Sequence, residues 1–530
     1  MSIDVEELLR DGMQRFTAEV RAPAGLTRAS SAPPRAGGVA QARRQPGWTL
    51  IVGPAITLAV MLWGVSARPY WGDEADTVSA VSRSVPQLIR LLGHVDAVHG
   101  LYYLLLWPVV RVAGVSEFAT RLPSAVAMAA AAAGVTVIAR RLVSRRAGLC
   151  AGLMFAVLPT VSLQGHDARP YAMVTAAAVL ASYLLVRAAQ DPRPRWFAAY
   201  GLSVALLGCT QLFGLLLVPA HAVTLIGLSR RRRAERNGQR ALACRWLVTI
   251  TAAGVAVAPV AILCWAQRGA ISWIPKPGWH DLDDVANLMA AGSVASVVMI
   301  GLLSVLGGTC GDSLMMTWPP TPARGAARPA AADRSLTWLA APWLVLPPLL
   351  LLAVSEIKPV YNGRYVTYCL PAVALLAGTG LAALRWPMRA AAVALVVALA
   401  APTQLGLRVP GNGMRAAAQF LSAHERPGDA IIYPEPSIPP WDLAYPEGFA
   451  HLRDISLRQT AAASGRLYAS TVPLPVLERR ERGVRRIWAV EMRPDDNPAT
   501  YLAPGFRLAH QWKLDGYLKV WLYTVAHDQK

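Results

Sequence analysis

Apolar runs of membrane-spanning length recur between residues 48 and 406, each bounded by a short polar stretch. Thr49 to Ala67 and Trp246 to Gln267 carry no formal charge at all. Such runs are long enough to cross the ~30 Å hydrocarbon core as helices. They lack the period-two alternation of an outer-membrane barrel. The pattern predicts eleven spans, near 48–66, 121–139, 148–165, 171–188, 197–211, 213–229, 246–265, 286–307, 336–354, 366–384 and 389–406.

Basic clusters set the expected orientation. Arg140, Arg141, Arg145 and Arg146 form one, and Arg187, Arg193 and Arg195 a second. Arg230–Arg233 with Arg236, Arg240 and Arg245 form a third, followed by Arg324, Arg328 and Arg334 and then by Arg385 and Arg389. Placing all of these in the cytoplasm satisfies the positive-inside rule. The amino end is then inside and the carboxyl end outside. Residues 100–114 are apolar, but making them a span would move Arg140–Arg146 outside. The stretch is short and holds Pro108 and Arg111, so it reads as an interfacial helix on the outer surface.

The two ends differ from the middle. Residues 1–47 are polar, with seven arginines and a Pro/Ala/Gly/Arg-rich run from Ala22 to Gly47, and read as a disordered cytoplasmic leader. Residues 407–530 carry 16 Lys/Arg against 13 Asp/Glu and no span-length run. Strand-like runs at Ala430–Tyr433, Arg486–Val490 and Leu518–Leu522, with a helical pattern at Met414–Ala423, predict a small extracytoplasmic α/β domain there. The fold class is therefore an all-α polytopic membrane protein with this domain appended, and 48–406 forms its transmembrane domain.

Composition agrees: 54% of the 530 residues are hydrophobic and 16% charged, where a soluble protein has roughly a quarter charged. The net charge of +20 lies in the inter-span clusters, so it does not point to nucleic acid. The six cysteines are scattered, without metal-ligand spacing, and read as apolar fillers.

Ionisable residues at membrane level are costly and mark functional sites. On this topology three groups reach the outer face: Trp71-Gly72-Asp73-Glu74-Ala75-Asp76, His166-Asp167-Ala168-Arg169-Pro170-Tyr171, and Lys358-Pro359-Val360-Tyr361-Asn362-Gly363-Arg364-Tyr365. Arg121-Leu122-Pro123-Ser124 adds a cation on the same side. A carboxylate there can act as general base towards a hydroxyl, and arginines can bind a phosphate leaving group. Solvated loop acids, helix-end anchors and local ion pairs are the plainer readings of the same residues. Composition alone does not separate group transfer from ion or solute transport, or from a lipid-carrier flippase.

The Gly-Asp-Glu after the first span, the Tyr102-Tyr103 pair, Arg121-Leu122-Pro123-Ser124, Ala168-Arg169-Pro170-Tyr171, and Arg364-Tyr365 with Pro371 together resemble the polyprenyl-phosphosugar-dependent glycosyltransferases of the GT-C superfamily. The resemblance is to the protein mannosyltransferase and lipid A aminoarabinose transferase group, over roughly residues 48–406. It implies transfer of a sugar, such as mannose, from a polyprenyl-phosphate donor to an extracytoplasmic hydroxyl of a glycan, lipid or protein, without a cofactor. It implies Asp73 as catalytic base with Glu74 beside it. Donor or acceptor contacts would come from Arg121, Asp167, Arg169, Tyr171, Lys358, Arg364 and Tyr365. The acids could in principle hold a divalent ion through oxygen ligands, but the resemblance argues against a metal. His99-Gly100-Leu101 departs from the His-Pro-Pro that many of these enzymes carry before the Tyr pair, which leaves the role of His99 open.

Overall fold

In a computed structural model, residues 47–229, 236–278, 293–310, 335–411, 413–433, 441–491, 498–514 and 518–525 are described. The expected leader, the run Arg230–Arg233, the arginines at 324, 328 and 334, and the start of the span expected at 286–307 lie outside them.

The chain enters through α1 (Val52–Leu62), which stops just before Gly64, a glycine at φ +72 that only a residue without Cβ adopts freely. Three helices outside the expected spans follow: α2 (Gly72–Val81), α3 (Val85–His94) and α4 (Gly100–Ala113). Helix α4 is the segment read as interfacial. It buries Tyr102, Tyr103, Leu106 and Val110 and leaves Leu104, Leu105 and Val112 exposed. The long α5 (Glu117–Leu142) starts at Ser116, whose hydroxyl accepts from the Ala119 N–H, as an N-cap does.

Helices α6 (Arg145–Val157) and α7 (Pro159–Gly165) form a pair bent by 65°. The cause is local: Pro159 forces Leu158 out of the helical region, to φ −64 and ψ 117. Then come α8 (Tyr171–Gln190), α9 (Pro194–Thr210), α10 (Leu217–Ser229), α11 (Arg236–Ala266), α12 (Val294–Cys310), α13 (Ser335–Ile357), α14 (Leu370–Ala383) and α15 (Trp386–Gly406). The stretch 197–229, expected as two helices, is divided by a 3-10 turn at Leu212–Leu216. Among the described residues six helices are long and apolar enough to cross a membrane, or seven if the bent pair is one span; α1, α4, α12 and the Leu212–Leu228 segment are apolar but shorter.

Beyond α15 lies the mixed region. Helix α16 (Gly413–His424) precedes a five-stranded sheet of order β2-β1-β5-β7-β6, built from β1 (Ala430–Ile432), β2 (Arg453–Asp454), β5 (Arg486–Glu491), β6 (Phe506–Lys513) and β7 (Lys519–Val525). β3 (Leu457–Gln459) and β4 (Ser470–Thr471) form a separate antiparallel pair. β1 runs parallel to β2 and β5, while β7 is antiparallel to both of its neighbours. One apolar core joins this region to α2: Tyr70, Ala75 and Val78 pack with Met414, Leu421, Trp441 and Trp488. Arg415 donates to Glu117 at 2.6 Å, and the Tyr445 hydroxyl donates to the same oxygen at 2.9 Å. The strand-bearing region is thus clamped onto the start of α5, directly over α2.

Candidate active site

Helix α2 opens with Trp71 in an extended conformation, and the Glu74 carboxylate reaches back to the Trp71 N–H at 3.4 Å. This hydrogen bond ties the first turn to its N-cap, and Asp73 and Glu74 point in different directions. Glu74 points inward and is fully buried. Its two oxygens accept from Arg121 Nε at 2.7 Å and Nη2 at 2.6 Å, and Oε1 also accepts from the Ala168 N–H at 2.8 Å. The remaining Arg121 donors go to the carbonyls of Val65, Arg68 and Pro69 at 2.7, 2.9 and 3.2 Å.

That geometry corrects two expectations. Arg121 has every N–H engaged and no donor left for a phosphate, and the acceptors of Glu74 are filled, which leaves it nothing to offer a substrate. The pair is a buried clasp joining the α1–α2 loop, α5 and the loop before α8.

Asp73 points the other way, with its side chain 38% exposed. Its Oδ2 lies 3.3 Å from Arg364 Nη1 and 3.8 Å from Arg169 Nη2. Arg364 comes from the 3-10 turn Gly363–Cys369 that leads into α14, begun by Asn362 accepting from the Arg364 N–H. Its guanidinium stacks 4.3 Å above the Trp71 ring, and it remains 42% exposed. The Trp71 indole N–H donates to Asp167 Oδ1 at 3.0 Å. Asp167 is buried, which together with the neighbouring Glu74 carboxylate pushes its carboxyl up to about 7 against the opposing pull of Trp71, Arg169 and Arg364.

Arg169 is buried beneath Asp73. It donates to the Asp73 carbonyl at 3.2 Å and to the Thr77 hydroxyl at 3.4 Å. Its Nη2 lies 3.2 Å from His99 Nε2, and His99 Nδ1 lies 2.8 Å from Asp96 Oδ1. An arginine can only donate, so His99 accepts at Nε2 and carries its proton at Nδ1, towards Asp96. The Tyr103 hydroxyl donates to the other oxygen of Asp96. Asp96 itself sits at φ 65, in the left-handed region. Sequence reasoning missed Asp96 and left His99 open; the Tyr pair beside them was the signal that could have found them.

Tyr171 is buried at the start of α8, and Tyr365 stacks on Phe213 with ring centroids 5.2 Å apart. Lys358 stands apart, its ammonium 5.8 Å from the Trp265 ring. Among the described residues no group of three or more His, Cys, Asp or Glu side chains converges as a metal site.

In one comparison, ArnT from Cupriavidus metallidurans in its apo state superposes with a TM-score of 0.57 at 14% identity, covering 90% of this chain and 98% of that one. The same protein bound to undecaprenyl phosphate superposes with a TM-score of 0.56 at 15% identity, over the same shares. The chain has the GT-C fold. A sequence model of the dolichyl-phosphate-mannose-protein mannosyltransferase family matches residues 101–265, from α4 to α11 of the GT-C architecture. No curated protein matches the chain in sequence. The GT-C fold places α2, the loop before α8 and the turn before α14 around one cluster, in which Asp73 is the carboxylate left open between cations.

Proposed function

We propose that the protein is an integral-membrane glycosyltransferase that moves a sugar from a polyprenyl-phosphate donor to an extracytoplasmic hydroxyl of a glycan, lipid or protein. The observation that carries this reading is Asp73: a half-exposed carboxylate with guanidinium groups at 3.3 and 3.8 Å. In the reaction, Asp73 takes the proton of the acceptor hydroxyl while its oxygen attacks the anomeric carbon. The bond from that carbon to the phosphate oxygen breaks, and the phosphate leaves with the electron pair. Arg364 and Arg169 offset the charge that develops on it. A single displacement of this kind inverts the anomeric centre.

Three further features support the proposal. The GT-C fold is one, the mannosyltransferase family match another, and the binding of undecaprenyl phosphate by ArnT the third. Mannose is the first sugar to try. The amino end would lie in the cytoplasm, and residues 407–530 outside it as an acceptor-facing domain.

Membranes given radiolabelled polyprenyl-phosphate-mannose test the reading, with wild type and Asp73→Asn at matched expression. Label should pass to an envelope acceptor in the wild type and fall by about 10²–10⁴ in the variant. Absence of transfer from this and other lipid-phosphate sugars would overturn the assignment, and undiminished transfer by the variant would remove Asp73 as the base.

A further inference from the structure

The strand-bearing region does more than cover the cluster. Its segment 466–468 runs along α2 in the reverse direction. The Arg466 carbonyl accepts from Arg83 at 2.5 Å, the Leu467 carbonyl from the Ser79 hydroxyl at 3.3 Å, and the Tyr468 hydroxyl donates to Asp76 Oδ2 at 3.2 Å. Asp76 and Ser79 lie on one face of α2 and Arg83 follows its carboxyl-terminal end, so each step along the segment moves nearer to Asp73. Tyr468 is the last of the three and ends one turn from Asp73.

The arrangement around α2 has two sides. At ~100° per residue, Asp76 lies about 60° to one side of Asp73 and Thr77 about 40° to the other. Arg169 engages Thr77 and its charge also bears on Asp76, while Tyr468 reaches α2 only through Asp76. Tyr468 is half-buried, and burial with the carboxylate of Asp76 beside it holds its hydroxyl well above the usual phenol range. The phenol therefore stays a hydrogen-bond donor. Among the described residues Asp76 Oδ1 is buried with no partner, an unmet acceptor of the kind that calls for an explanation at a site.

We infer that Tyr468 is an acceptor-positioning residue, held by Asp76, so that a hydroxyl-bearing acceptor approaches Asp73 along the side of α2 that the strand-bearing region covers. This rests on the glycosyltransferase reading above and assigns the two substrates to two parts of the chain. The donor is held by α2, the loop before α8 and the turn before α14. The acceptor is met by the region beyond residue 407.

The test uses the full-length protein and two measurements: sugar transfer in membranes, and affinity for undecaprenyl phosphate in detergent. Tyr468→Ala should lower transfer at least about tenfold, with undecaprenyl phosphate affinity within about twofold of wild type. Tyr468→Phe, which keeps the ring and loses only the hydroxyl, should lie between. Unchanged transfer by Tyr468→Ala would overturn the inference. So would a parallel loss of transfer and lipid affinity, which would mark Tyr468 as merely structural. A wild-type protein that transfers nothing would instead overturn the proposed function, and this inference with it.

Discussion

Glu74 and Arg121, 47 positions apart, meet through paired hydrogen bonds of 2.7 and 2.6 Å with both side chains essentially shielded from solvent. A buried pair of this kind adds little over apolar residues of the same volume, but removing one partner strands the other charge at a cost of about 3–5 kcal/mol. Arg121→Ala should therefore yield protein that fails to survive detergent extraction or melts far below wild type. Arg364→Ala should melt within a degree or two of wild type, since Arg364 and the Asp73 carboxylate it pairs with are both partly exposed. Size-exclusion profiles and thermal scans in one detergent separate the two. Equal losses would remove the distinction between clasp and site.

Arg364 has the opposite expectation for ligand. Its guanidinium is stacked on Trp71 and, among the described residues, has donors to spare beyond the one to Asp73. Hydrogen bonds to charged groups contribute about 1.5–3 kcal/mol each. Arg364→Ala should thus weaken undecaprenyl phosphate binding by about ten- to a hundredfold, and Arg364→Lys should recover only part, lacking the planar fork. Binding by Arg364→Ala equal to wild type would place the phosphate elsewhere.

Much of the fold was legible because its causes are local. Apolar runs act within a few residues, so among the described residues most expected spans coincide with helices, six or seven of them long and apolar enough to cross a membrane, while the break at Pro159 inside the span expected at 148–165 was not foreseen. The strands at 430, 486 and 519 were equally visible as short β-branched and aromatic runs. The site was legible as a set but not as roles. Nothing in Arg121-Leu122-Pro123-Ser124 shows that all the guanidinium N–H groups are taken by Glu74 and three carbonyls, because those partners come from a loop some fifty residues earlier. Asp96 was passed over, and His99 left open, where the chain departs from His-Pro-Pro. Tyr468 lies 392 positions from Asp76, and only the folding of the carboxyl-terminal region onto α2 brings them together.

Two glycines carry the contact between α12 and α14. A Cβ on Gly380 would strike the Leu303 carbonyl oxygen and come within 2.9 Å of the Gly307 nitrogen; one on Gly307 would strike the Leu376 carbonyl oxygen. All of these are backbone atoms, so no side chain can yield. Close backbone approach through small residues is a main source of helix association in lipid. Gly380→Ala should lower the melting temperature by an amount corresponding to about 1–3 kcal/mol or more. The exposed Gly254, with open space around its Cα, supplies the control: Gly254→Ala should melt like wild type, and equal behaviour of the two variants would contradict the packing described.

Asp167 should make lipid-phosphate binding depend on pH. Its carboxyl is raised to about 7 by burial and by Glu74, so the folded protein keeps it neutral in mild acid and charges it as pH rises through neutrality. The new negative charge faces Arg364 across the Trp71 indole and competes with a bound phosphate for the same cations. In Asp167→Asn that charge never forms. The variant and wild type should bind undecaprenyl phosphate alike at pH 6, and the variant should bind about three- to tenfold more tightly at pH 8. Ionisation of the phosphate itself and of Asp76, also raised to about 7 by burial, affects both proteins equally and cancels in the ratio. A variant-to-wild-type ratio that stays constant from pH 6 to 8 would show that Asp167 does not reach the phosphate-binding cations.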